Sequence, residues 1–476
     1  MNRVRPTPTA RPARTIAAFV AAALLTIVAA APAGATGNWG PIVTLFALNS
    51  VTEKPQIVLS ADGTTAVAVW ARNPGASTWY VQTRVGSVSG NTTSWGPVTT
   101  LSQTTAGDAF NPQVAISSDG TRATVVWYGN RTGSSSWVVQ ARSATISGTT
   151  ATWGLNTGLS EDGQMAYDPQ IDMSDDGTRA TVAWYRYDGA NWRVQARSAT
   201  ISGTSATWGP TADLSAAGGN AQGPRVKVSS DGTRATAVWY RNNGSAILVQ
   251  SRSATIAGNA ATWGGATNLS AGGADADVPR VALSDDGTKA TAVWYRYTTY
   301  PNVAIQSRSA TIAGNAATWG LIANLTPSND FFDAPEIAMS ADGTKATAVW
   351  VRMGSPEWRV QSRSASIAGN AATWGAVSAV STVTQEAHEP QIALSADGAL
   401  ATTAWFVNTG TAWRAQARTA TIAAQVATWA PTVNLSAVGT IALDTRIAVS
   451  ATGTKAVALW RNNGGFFQNM QVRAAN

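Results

Sequence analysis

Between residues 279 and 325, short apolar runs alternate with polar turns that contain glycine. PRVALS predicts a first strand and KATAVWYR a second. VAIQSRSATI predicts a third and LIANLT a fourth, here called a to d in chain order. Asp286-Gly287 lies between a and b, where Asp-Gly supplies the positive φ of a two-residue hairpin. A polar loop through Tyr300-Pro301 links b to c, and AGNAATWG links c to d.

The same sentence recurs along the chain. LSDDGTKATAVWYR at 283–296 is echoed by LSADGTTAVAVWAR from Leu59, VSSDGTRATAVWYR from Val228 and MSADGTKATAVWVR from Met339. The turn Asp falls at Asp62, Asp119, Asp176, Asp231, Asp286, Asp342 and Asp397, with Thr452 in eighth place, at spacings of 55 to 57 residues. A Trp-Gly marker keeps the same period at Trp39, Trp95, Trp153, Trp208, Trp263, Trp319 and Trp374, with Trp429-Ala430 as the variant. Four antiparallel strands at this period describe a propeller blade. A tandem of independent sandwiches fails, because one four-strand unit buries too little to stand alone. The chain after residue 35 opens with a d-type strand, WGPIVTLFAL, and finishes with an a–b–c set. The first strand can therefore complete the last blade and remove the open edge. The expectation is an all-β, eight-bladed propeller over 36–476, closed by its N-terminal d strand.

The pattern P-x-[IV]-x-[LIMV]-S-x-D-G-[TA] before a β-rich strand resembles the WD-like propeller repeats of the Tol periplasmic protein family, over all eight blades. The resemblance implies a fold. Such repeats serve in scaffolds, peptidases and binding proteins, so it implies no single function. The Asp-x-Gly spacing of sialidase Asp boxes is absent.

Residues 1–35 carry Arg3, Arg5, Arg11 and Arg14, then the apolar run Ile16 to Ala31, then Ala33-Gly34-Ala35. This reads as a cleaved secretory signal, implying a secreted or cell-surface extracellular protein with no membrane span after cleavage. The net charge of +7 includes those four Arg, so the remainder carries 7 − 4 = +3, no case for nucleic acid. The absence of Cys excludes disulfides, thiolate metal sites and Cys nucleophiles.

Three Trp positions account for all 21: the end of strand b, the start of d, and in five blades the start of c (Trp79, Trp137, Trp192, Trp358, Trp413). The first two sets read as packing between blades. Gln-x-Arg recurs in every strand c, with Arg84, Arg142, Arg197, Arg252, Arg308, Arg363, Arg418 and Arg473. Each Arg is expected to meet the turn Asp or backbone carbonyls of its own or the neighbouring blade. With the seven turn Asp these Arg form the expected framework.

Function belongs where the copies differ. The a–b turns and c–d loops share a monotonous rim, and the d–a and b–c loops share a varied one. Of the 26 acids, twelve are assigned to d–a loops at the channel mouth: Glu53, Asp108, Glu161, Asp162, Asp168, Asp275, Asp277, Asp330, Asp333, Glu386, Glu389 and Asp444. Two residues before the strand-a Pro stand Glu53, Phe110, Tyr167, Gln222, Asp277, Asp333 and His388, with Asp444 taken as the eighth. The b–c loops add Arg72, Arg186, Arg241, Arg296 and Arg352, with Tyr128, Tyr185, Tyr187, Tyr240, Tyr295, Tyr297 and Tyr300. Acids, guanidinium groups and aromatic rings around one mouth suit a glycan, a cell-envelope component or a protein. The expected ligand-binding residues are Glu53, Asp108, Tyr167, Asp168, Arg186, Tyr187, Arg241, Asp277, Arg296, Asp333, His388, Glu389 and Asp444.

His388 is the sole His, and no G-x-S-x-G elbow accompanies it, so a serine triad and a zinc hydrolase find no support. Calcium stays open, with Asp275 and Asp277, or Asp330 and Asp333, as oxygen ligands. No cofactor is expected for folding, and a monomer is expected. The enzyme alternative is a glycoside hydrolase or lyase using Asp168, Asp277, Asp333 or Glu389. A structural surface protein without a small ligand is the remaining class.

Overall fold

A computed structural model describes residues 38–476 apart from 47–49, 76–77, 104–106, 132–135, 299–301, 329, 355–357, 383–384 and 464–467. Residues 1–35, read above as a secretory signal, and Tyr300 lie outside the described residues.

The chain forms eight blades, numbered here from the one with Asp62, each an antiparallel sheet in the order a–b–c–d. In blade five, a is Ala276–Leu283, b is Lys289–Tyr297 and c is Val303–Ala313. Strand d comes in two pieces, Ala316–Trp319 and Ala323–Asn324, both paired with c. AATW is thus strand rather than loop, and the Trp closes the first piece of d instead of opening it. The c–d connection shrinks to a two-residue turn, whose first residue is Gly314 at φ 58°, the position where such a turn needs glycine. Blade eight is Ile441–Val449, Ala456–Asn463 and Gln468–Ala475, completed by Val43–Thr44 from the other end of the chain.

Each strand-b Trp is fully buried and centres the core between its blade and the preceding one. Trp294 packs with Val238, Val249 and Leu269 of blade four and with Val281 and Ala292 of its own blade. Its indole N–H donates to Gln306 Oε1 at 3.3 Å, and Gln306 Nε2 donates to Asn324 Oδ1 at 2.8 Å. The Gln of Gln-x-Arg therefore ties strand b to strand d.

The Arg of that motif does not reach the turn Asp. Arg308 pairs with Ala292 in mid-strand, away from the a–b turn. Its guanidinium enters the break in d, donating to Gly320 O at 2.7 Å and Trp319 O at 3.3 Å. It also donates to Leu269 O of blade four at 3.3 Å. Arg84, Arg142, Arg197, Arg363, Arg418 and Arg473 bridge blades the same way, while Arg252 donates to Asp213 O.

The turn Asp is held locally. Ser60 Oγ, Thr64 N and Thr64 Oγ1 all donate to the Asp62 carboxylate at 2.6–2.9 Å. Ser60 and Thr65 close the hairpin with four residues between them, and only Gly63 there has positive φ. The two-residue reading of Asp-Gly was too tight. The residue before each of the seven turn Asp, and before Thr452, joins a ring of eight backbone hydrogen bonds, from Ala61 through Ser118, Asp175, Ser230, Asp285, Ala341, Ala396 and Ala451 back to Ala61, at 2.7–2.9 Å. This ring seals the monotonous rim.

The Trp-Gly marker has a steric cause. A Cβ at Gly209 would lie 1.9 Å from the carbonyl oxygen of Asn259 in the next blade's c–d turn. Blade eight has no c–d turn, because its d strand comes from Val43–Thr44, and its neighbour in blade seven carries Ala430. Gly209→Ala is expected to cost about 1–3 kcal/mol by overpacking, against little change for Ala430→Gly. Equal midpoints in urea for the two variants would refute this account.

Candidate functional site

Strand a lines the central channel, and in every blade it carries a bulge. In blade three Tyr167 pairs with Tyr185 and Gln170 with Ala183, leaving Asp168 and Pro169 opposite Trp184 alone. The residue before the Pro turns left-handed: Lys54, Asn111, Asp168, Val278, Ala334 and Glu389 lie at φ 43–51°, and Gly223 at 61°. Asp444 has φ 52° and shares this position, while Leu443 stands level with Glu53 and Tyr167. The placement of Asp444 two residues before the Pro position was one residue out. Strand a also begins earlier than the hydrophobic pattern implies, so Glu53, Asp168, Asp277, Asp333, Glu386, Glu389 and Asp444 lie within it and not in d–a loops. Strand b likewise extends through Arg72, Tyr128, Tyr185, Arg186, Tyr187, Tyr240, Arg241, Tyr295, Arg296, Tyr297 and Arg352.

The thirteen expected ligand residues fall into three environments. The first is the channel, a cavity of about 840 Å³ lined by Asp168, Asp333 and Glu389 among others. Asp168 accepts Asn111 Nδ2 at 2.7 Å and faces Arg225 at 3.6 Å, and Glu389 faces Arg446 at 3.6 Å. Arg225, Lys227, Arg280, Glu336 and Arg446 line the same cavity and escaped the sequence reading. The position just after the strand-a Pro signals four of them. It reads Gln56, Gln113, Gln170, Arg225, Arg280, Glu336, Gln391 and, after Thr445, Arg446, varying between otherwise copied blades.

The second environment is a band of half-buried rings on the varied rim. Trp79, Phe110, Trp137, Tyr167 and Trp192 follow one another with centroids 5.5–5.6 Å apart. Tyr128, Tyr185 and Tyr187 flank them, and Tyr187 is exposed. Across the ring His388 sits between Trp358 at 4.7 Å and Trp413 at 5.1 Å, stacked on Phe406. The residue two before the Pro is a ring only where strand-c Trp residues stand on both sides. Elsewhere it is Glu53, Gln222, Asp277, Asp333 or Leu443. Tyr295 donates its hydroxyl to Asp333, and Tyr240 donates to Gln222 Oε1 at 3.3 Å.

The third environment is structural. Asp108 Oδ1 accepts the Trp79 N–H at 2.8 Å, fastening blade two to blade one. Arg186 pairs with exposed Glu161 at 3.1 Å, and Asp444 with Arg461 at 2.8 Å. Arg241 donates to Ala217 O at 2.9 Å, and Arg296 to Ala271 O and Gly272 O. These groups stiffen loops. The calcium candidates are likewise engaged: Asp275 accepts Ile247 N at 2.7 Å, and Asp330 accepts Arg352 Nε at 2.5 Å. Among the described residues no three His, Asp or Glu side chains are grouped to hold a metal ion.

Burial pushes the Asp277 carboxyl up to about 6, helped by Asp275 and Asp333, and its Oδ1 has no hydrogen-bond partner. A carboxyl raised in the folded state stabilises it while protonated. That contribution is lost as pH rises through about 6. Asp277→Asn is therefore expected to raise Tm near pH 8 and leave it close to wild type near pH 4. Equal shifts at both pH values would refute the assignment. Burial pushes Tyr128 up to about 12 and raises Tyr185 and Tyr295, so these hydroxyls remain donors at neutral pH.

No protein-family model matches the chain, and no curated protein matches it. Similar solved structures are propellers. The WD40 domain of SCAP from fission yeast shares 9% identity, with 91% of this chain and 98% of that chain covered, at a TM-score of 0.45. The propeller domain of the Trilobed protease from Pyrococcus furiosus shares 7%, covering 82% and 98%, at 0.43. Prolyl oligopeptidase B from Galerina marginata shares 13%, covering 76% of this chain and 47% of that enzyme, at 0.38. The chain thus spans about half the length of that peptidase.

Proposed function

We propose that this is a secreted propeller that binds an extracellular glycan on the varied rim. One observation carries the reading. The b and d Trp recur in all eight blades as framework, whereas the rim aromatics stand in some blades and are missing from others. Half-buried rings that the fold does without elsewhere are a stacking surface for sugar faces. The neighbouring tyrosine hydroxyls and channel carboxylates supply donors and acceptors for hydroxyl groups.

The test is a glycan array and a cell-wall pull-down with the wild type and with Tyr187→Ala and Trp192→Ala. A retained Tm with binding weakened about fivefold or more, as stacking contacts of about 1–3 kcal/mol imply, supports the rim. Unchanged binding moves the ligand elsewhere, and no binding to any glycan ends the glycan reading in favour of a protein or cell-envelope partner.

A second reading, a glycoside hydrolase, is favoured by the raised carboxyl of Asp277 beside Asp333. A protonated acid can protonate a glycosidic oxygen. New reducing ends, lost in Asp277→Asn, would establish it.

A further inference from the structure

Arg225 and Arg280 occupy the same position in adjacent blades, both line the channel, and their counter-ions lie on the outer sides. Arg225 faces Asp168 of blade three at 3.6 Å. Arg280 Nε donates to Glu336 of blade six at 2.7 Å. The order around the channel is therefore Asp168, Arg225, Arg280, Glu336, and its two middle members carry like charges close enough to repel. Burial, together with that repulsion, holds Arg225 down to about 10. Among the described residues, Arg225 Nε and Nη2 and Arg280 Nη2 have no acceptor, and the two side chains keep 26% and 20% exposure to the channel.

The left-handed position carries Gly223, Val278 and Ala334 in blades four to six, but Lys54, Asn111, Asp168, Glu389 and Asp444 in the other blades. The aromatic band breaks over blades four and five, with Ile247 and Val303 where five other blades have the strand-c Trp. Trp192 and Trp358 flank the gap.

We propose that the seam between blades four and five is a carboxylate subsite, so that the ligand is an acidic, hexuronate-bearing glycan. This rests on the glycan reading above. An anion between the two guanidinium groups makes every neighbouring pair in the series attractive, and a carboxylate can take paired N–H bonds from Arg225 Nε and Nη2 and a further one from Arg280 Nη2. Neighbouring sugars then reach Trp192 on one side and Trp358 on the other.

The test is calorimetry with the full chain at low salt. The probes are a galacturonate tetramer and the same tetramer with its carboxyls reduced to alcohols. The acidic form should bind about tenfold or more tightly than the reduced form, as charge-assisted hydrogen bonds imply. Arg225→Gln and Arg280→Gln should each remove that preference. Because Arg225→Gln strands Asp168, the paired variant Asp168→Asn with Arg225→Gln is measured beside it, with Tm as the folding control, and should also show no preference. Equal binding of the two tetramers to wild type overturns the subsite while leaving the rim reading intact. A preference that survives in both folded Arg variants overturns it as well. Failure of both tetramers, with capture of an acidic peptide instead, overturns both readings.

Discussion

Deleting residues 38–46 is expected to abolish cooperative folding of the ring. These residues supply the whole fourth strand of blade eight. Val43 and Thr44 pair with Val472 and Gln471, and Trp39 bridges Ala475. Leu45 is fully buried in the core between blades eight and one, and Phe46 stacks on Trp70 at 5.4 Å. Trp39 closes the core on the other face of blade eight. Burying a large apolar side chain contributes about 1.5–3 kcal/mol, so these three alone contribute about 5–9 kcal/mol. That matches the whole stability of a domain, about 5–15 kcal/mol. The deletion also strips Arg473 of its acceptors Gly40 O and Trp39 O and leaves strand Gln468–Ala475 as an open edge. Any folded remnant should therefore self-associate. A circular permutant carrying 38–46 after residue 476 restores every one of these contacts, and the side chains of Asn38 and Asn476 already meet at 3.3 Å. It should melt with the parent. A deletion variant that stays monomeric with an unchanged Tm would disprove closure by this strand.

Blade number, strand order and closure were all legible, because each is written eight times and inter-blade packing makes the same demand in every copy. The channel was not. A bulge inserts one residue into strand a, and alternation counted across it changes face. That is why Arg225 and Arg280 passed unnoticed beside their Pro, while Asp444 was placed level with Tyr167 because blade eight carries Thr445 where the other blades have the marker Pro. The acids fared unevenly for a related reason. Spacing from the Pro separates Asp168, which lines the channel, from Asp108, which caps a neighbouring strand, only once the loop's hydrogen bonds are known. The partner of the framework Arg depended on register. Pairing of Ala292 with Arg308 removes it from the turn and gives it carbonyl acceptors instead.

Those acceptors decide what Arg308 substitutions do. No carboxylate neutralises this guanidinium among the described residues, and burial lowers its pKa from the ordinary value. Its contribution is a fork of donors that satisfies carbonyls of two blades at once. Arg308→Met keeps the apolar stem and leaves Gly320 O, Trp319 O and Leu269 O without that donor. Losing a buried partner costs about 1–3 kcal/mol for each group left unsatisfied, and water reaching the break in strand d should recover part. A net loss of about 3–5 kcal/mol is expected. Arg308→Lys retains the charge but reaches fewer acceptors from one point, so it should recover only part of the difference. An ion pair would respond otherwise, because Lys would rescue most of the loss and high salt would weaken the wild type. Urea denaturation of wild type, Arg308→Lys and Arg308→Met at low and high salt separates the two accounts. Salt-insensitive midpoints, with Lys closer to Met than to Arg, are the expected result. Full rescue by Lys would return the charge, and not the fork, to the centre of blade cohesion.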